Sequence, residues 1–197
     1  MKLLRTEFLI KSGNFIDSPA YKIIFDTIYK AIDNVKWPDN STQFTIHPGK
    51  NANGVKPIKQ RCVSYLKENN WELEKNMNLG SRISPGPVDA VLNVDGFGDF
   101  AFEWETGNIS SSHRALNKMA LGLITKSLIG GVLVVPSRDL YFHLTDRIGN
   151  FAEIEPYFPV WKNLNVEGLL AVIEVEYDSI SESAPIIYKG TDGRALV

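Results

Sequence analysis

Residues 87–106 read PVDAVLNVDGFGDFAFEWET. Two runs rich in Val, Ala and Phe meet at Asp95-Gly96, a dipeptide suited to a tight turn, so the stretch predicts a β-hairpin. Side chains alternate along a strand. Phe100, Phe102 and Trp104 therefore share one face of the second strand, and Asp99, Ala101, Glu103 and Glu105 share the other. In the first strand Val88, Ala90, Leu92 and Val94 form the apolar set, and Asp89 falls opposite to it. A three-residue loop centred on Gly96 sets Asp89 directly across from Glu103, with Cβ atoms roughly 4.5–5.5 Å apart.

Like charges at that distance destabilise a sheet, and burying them unpaired costs far more. A divalent cation relieves the repulsion. Mg2+ takes carboxylates, waters and substrate phosphate oxygens in an octahedral shell. Asp89, Glu103 and Glu105 thus read as a metal site that an anionic ligand completes, able to activate water for phosphodiester hydrolysis. The competing reading is a solvent-facing hairpin whose outer side is merely polar.

The chain has 197 residues, 44% hydrophobic and 22% charged, which suits one domain with a sizeable core. Its net charge of -2 gives no global attraction to nucleic acid, so a local basic surface would have to supply one. The single cysteine, Cys62, permits no internal disulfide and reads as a buried structural thiol, which fits a reducing compartment. No apolar run reaches the length of a membrane span. The N-terminal MKLLRTEFLIKSGNF is interrupted by Glu7 and Lys11 and lacks the pattern of a signal peptide, so a cytoplasmic location is expected.

Along the chain, residues 2–11 read as a first strand. Ser18 and Pro19 open an amphipathic helix carrying Ile24, Ile28, Ala31 and Ile32 at helical spacing. Residues 37–56, rich in Pro, Gly and Asn, read as a long loop whose Lys50 and Lys56 could approach an anion. A second helix is expected over 56–70, a short strand at 71–78 and a loop at 79–87. After the hairpin come a helix over about 112–127, stopped by Gly130 and Gly131, and a buried strand in GGVLVVPS. Another helix follows, ended near Gly149, then a mixed segment, a strand in GLLAVIEVEYD and a peripheral tail over 179–197. Helices alternating with strands predict an α/β sandwich around a mixed sheet, in a single domain over 1–197.

The hairpin resembles the catalytic hairpin of the PD-(D/E)XK nucleases, and more narrowly the BglII/BstYI group of type II restriction endonucleases, with BamHI more distant. Pro87, Val88 and Asp89 match the PD element with one residue inserted; Glu103 matches the (D/E) position. Glu105 takes the place of the usual Lys, as in the BamHI variant, and Trp104 and Asn108 fit the group's E-x-(Q/E)-x-x-N stretch. The resemblance extends over residues 56–175 and implies the restriction-endonuclease-like fold. It also implies a Mg2+-dependent homodimer that cuts double-stranded DNA at a short palindrome, with a GATC core. An upstream acidic or amide residue belongs near the metal: Glu68, Glu72 and Glu74 are candidates, with Glu68 preferred. Glu105 cannot act as a cation and is left to orient the attacking water or act as a general base.

The segment after the acids carries Asn108, Ser110, Ser111, Ser112, His113 and Arg114 at a strand end and helix N-terminus, where short polar side chains and free N–H groups can meet phosphates or base edges. One serine there is accounted for as a helix cap. Ser137 and Arg138, at the end of the next strand, can face the same cleft or serve as a cap and a surface charge. His47 and His143 have no partner at metal spacing and read as structural. Two other readings stay open: a PD-(D/E)XK-like protein that binds DNA for repair, nicking or without catalysis, and an interaction domain with a polar-faced hairpin.

Overall fold

In a computed structural model, which describes residues 1–78, 86–145 and 147–189, the hairpin closes as its alternation predicts. Strands β4 (Pro87–Val94) and β5 (Gly98–Trp104) pair with Ala90 opposite Phe102 and Val94 opposite Gly98. Asp95, Gly96 and Phe97 make the turn; Gly96 sits at φ +77°, where a residue with a Cβ is strained. Flanking the hairpin are β3 (Glu72–Asn76) on one side and β6 (Gly130–Pro136), β7 (Gly168–Glu176) and β1 (Lys2–Ser12) on the other. The six-stranded sheet has the order β1-β7-β6-β5-β4-β3, with β5, β6 and β7 parallel and the outer pairings antiparallel. This is the mixed α/β sandwich expected.

Helices cover both faces. On one side lie α1 (Pro19–Asp33) and α2 (Lys56–Glu68), whose buried Ile24, Phe25, Ile28, Ile58, Cys62 and Leu66 pack against Phe100, Phe102 and Trp104. On the other lie α3 (Ile109–Ile124), α5 (Phe151–Ile154) and α6 (Phe158–Lys162), with Leu116, Met119, Phe151 and Trp161 against Ala101, Leu133 and Leu170. Cys62 is fully buried and burial holds its thiol protonated, the inert role expected. Val88 departs from the predicted apolar set and joins Val91 in the second cluster. No helix among the described residues is long and apolar enough to cross a membrane.

Some boundaries differ from the sequence reading. Helix α3 begins earlier because Asn108, and not a serine, caps it: its side-chain oxygen accepts from the Ser110 and Ser111 backbone N–H groups at 3.0 and 3.3 Å. The helix ends at Ile124, ahead of the Gly130-Gly131 pair, which instead opens β6 at close approach to its neighbours. Helix α4 (Arg138–His143) stops well short of Gly149. Beyond it the backbone is drawn into tertiary bonds: Thr145 N–H donates to the Asn53 carbonyl at 2.7 Å, and Ile148 bridges Asn108. The long loop contains β2 (Thr45–Ile46), which pairs in parallel with β8 (Ser179–Ile180) from the tail; Ala184 and Ile187 of the tail are buried. The loop expected at 79–87 falls largely, at 79–85, outside the described residues, as does the tail from 190 onward.

Candidate active site

The two acids of the hairpin converge because β4 and β5 pair in the predicted register, which places Asp89 beside Glu103. The backbone fastens them further: Trp104 N–H donates to Asp89 Oδ2 at 2.8 Å, and Asp89 N–H to Glu103 Oε2 at 3.4 Å. Both residues are nearly buried, at 9% and 8% exposure, on the wall of a cleft of about 510 Å3. Glu74, Glu105, Ser111, Arg114 and Lys118 also line it.

A lysine reaches the acids from each helical layer. Lys59 of α2 donates to Asp89 Oδ1 and lies 3.6 Å from Glu74; Lys118 of α3 pairs with Glu103 and donates to the Pro87 carbonyl at 2.7 Å. Burial, and then the charge of Asp89, pushes the Glu103 carboxyl up to about 7 in spite of Lys118. Burial works against the Lys59 ammonium, but Asp89, with Glu74 and Glu103 behind it, holds its pKa above the ordinary lysine value. Glu105 is 4% exposed; burial raises its carboxyl, while hydrogen bonds from Ser112 and from the Gly107 and Thr106 backbone pull the other way.

Among the described residues no three His, Cys, Asp or Glu side chains form a ready metal cage. The donor set nonetheless fits a hard divalent cation. Two adjacent carboxylates open onto a cleft, burial and then the charge of Asp89 raise Glu103, and Mg2+ is commonly held by one or two carboxylates with water and phosphate filling the rest.

The chain matches the family model of restriction endonuclease BamHI over residues 1–194. It belongs to the BamHI family of restriction endonucleases. It is 48% identical over 197 residues to the type II restriction enzyme OkrAI of Oceanobacter kriegii, covering 100% of both chains. It is 34% identical over 177 residues to the type II restriction enzyme BamHI of Bacillus amyloliquefaciens, covering 86% of this chain and 81% of that one. A crystal structure of restriction endonuclease BglII complexed with a DNA 16-mer shares the fold, with a TM-score of 0.62 at 10% identity over 90% of this chain and 79% of that one. The BamHI-family chain is accordingly a type II restriction endonuclease acting on DNA.

Within this BamHI-family fold the residues singled out by sequence part company. Asp89, Glu103, Glu105, Ser111 and Arg114 come together around the cleft. Glu68 does not: it lies exposed in the last turn of α2, and of the three upstream candidates only Glu74 lines the cleft. Helical spacing explains the miss. Glu68 is two residues past buried Leu66 and so on the far side of the helix, whereas Lys59 stands three, four and seven residues before Cys62, Val63 and Leu66, on the buried stripe. That stripe is the signal by which Lys59 could have been found. Glu74 carries its own mark, a backbone φ of +51° in β3 opposite Asp89.

Of the expected DNA-facing residues, Asn108 and Ser110 stand exposed at the start of α3. Ser112 is corrected: it is fully buried and its hydroxyl donates to Glu105. His113 packs edge-on against Tyr157, ring centroids 4.6 Å apart, and lies near Trp161. Ser137 is buried, capping α4 at Leu140 N–H and donating to Glu176; Arg138 pairs with Glu153 at 3.6 Å and lies over the Tyr141 ring. His47 and His143 take structural contacts, at the Ala184 carbonyl and at Gly49.

Proposed function

We propose that the chain hydrolyses the phosphodiester backbone of double-stranded DNA at a short palindrome with a GATC core, with Mg2+, as a homodimer in which each subunit cuts one strand. One observation carries the chemistry: Asp89 and Glu103 lie side by side on the cleft wall, with Glu105 beside them and the N-terminus of α3 next to it. Asp89 and Glu103 would hold the ion, which when bound polarises the phosphate and lowers the pKa of water. Glu105 orients the attacking water and accepts its proton; its burial favours proton uptake. The water oxygen bonds to phosphorus, one ester P–O bond breaks, and the departing oxygen takes up a proton. Asn108, Ser110, Ser111 and Arg114 face the DNA, supplying polar groups and a positive charge that the whole chain, at net -2, lacks. We place the enzyme in the cytoplasm with its DNA substrate.

Purified protein with Mg2+ and phage DNA should yield discrete fragments, and mapping their ends gives the site. Glu103→Gln, which keeps an oxygen for Lys118, should stay folded and cut nothing, and Glu103→Ala should likewise cut nothing. Retained DNA binding without cleavage by the unaltered protein, whatever the divalent metal, would instead select a non-cutting DNA-binding role.

A further inference from the structure

Ser112 has a task that its place in a run of serines conceals. Its backbone is already inside α3, whose cap is Asn108, so the helix does not need its hydroxyl. The hydroxyl instead donates to Glu105 Oε2, while Glu105 Oε1 accepts from the Gly107 backbone N–H. Gly107 is held in turn, its carbonyl accepting from the Gly149 N–H at 2.9 Å. Gly149 leaves the space in which the hydroxyl sits: a Cβ there would lie 2.1 Å from Ser112 Oγ and 3.2 Å from Ile109 Cα.

We infer that Ser112 and Gly149 are positioning residues for Glu105: the glycine keeps a gap against α3, the serine hydroxyl fills it, and that hydroxyl with the Gly107 N–H fixes both carboxylate oxygens in one orientation at the cleft. Neither residue is among those lining the cleft; both act through Glu105. The inference rests on the reading of Glu105 as the group that orients the attacking water. A carboxylate with a fixed donor on each oxygen has little rotational freedom, and misplacement of a reacting group by about 1 Å costs about 100-fold in rate.

The test uses the full chain, Mg2+ and a phage DNA that the wild type cuts. Ser112→Ala should lower kcat by about 10- to 100-fold with KM and DNA affinity unchanged and the melting temperature within a few degrees. Gly149→Ala should lower kcat similarly, since its methyl displaces the hydroxyl. The double variant should be no slower than the slower single one, because the methyl then occupies the space the hydroxyl vacated. Full kcat in Ser112→Ala, a loss confined to KM, or a double variant slower by the product of the single losses each overturns the inference. Should Gly149→Ala fail to fold, the kcat and KM of Ser112→Ala decide alone. A wild type that binds but does not cut DNA overturns the reading of the site, and this inference with it.

Discussion

At Glu103, burial and the neighbouring Asp89 push the carboxyl up to about 7, so it holds a proton well above the ordinary 4.5. The stability it contributes is therefore complete in acid and is lost as pH rises through about 7. A cation needs the carboxylate, so its affinity moves the other way. The increase in melting temperature on adding Mg2+ should be small below about pH 6, grow through neutrality and level off above about pH 8. A shift equally large at the acid end would contradict that reading of Glu103. Lys118 supplies the other half of the balance. Lys118→Met leaves Glu103 buried without its partner, and in chelator should unfold about 3–5 kcal/mol more easily, with Mg2+ restoring part of the difference. Chemical denaturation measures this, and unchanged stability would show that the pair carries no weight. The acids are legible residue by residue because period-two alternation places them; Lys59 shows in sequence only as a charge on a buried stripe, and neither lysine announces its partner until the facing strand is known.

Among the elements, the hairpin was the most legible. Asp95-Gly96 sets the turn, the turn sets the register, and the register sets Asp89 against Glu103. Helices α1 and α2 were nearly as plain, from the spacing of their apolar residues. The Gly130-Gly131 pair reads in sequence as a helix stop, but its role in the fold is steric. A Cβ on Gly130 would lie 2.5 Å from the Phe100 ring, so the glycine allows β6 to run close beside the strand that bears the acids. Gly130→Ala should cost about 1–3 kcal/mol of stability in a denaturant titration, with cutting per folded molecule preserved. A neutral substitution would mean that Phe100 relaxes freely. Helix α4 is shorter than its sequence suggests because nothing local announces that Thr145 and Ile148 give their backbone groups to Asn53 and Asn108.

At the scale of the molecule, the sheet is a frame that carries residues far apart in the chain to the carboxyl end of β5. Lys59 arrives from one helical layer, Lys118 from the other, and Glu74 along the edge strand. On the proposed function, a chain with net charge -2 and acids at its centre would meet DNA through locally placed groups and a bound cation, so binding should weaken as salt rises and be markedly tighter with Mg2+ than with chelator. On the proposed function, cutting both strands of a palindrome calls for two copies related by a twofold axis, so sedimentation of the purified protein should give twice the 22.1 kDa chain mass. A strictly monomeric species that nevertheless makes double-strand breaks would exclude the subunit-per-strand arrangement. By itself the amino-acid sequence determined the hairpin, its register, the trio Asp89, Glu103 and Glu105 and the α/β alternation, since each follows from periodicity and turn chemistry within a few residues. Only the tertiary structure decided that Lys59 and Lys118 face those acids, that Glu74 and not Glu68 joins them, and that Ser112 turns inward to Glu105. Those pairings depend on which elements the sheet order sets side by side, and no local pattern encodes that order.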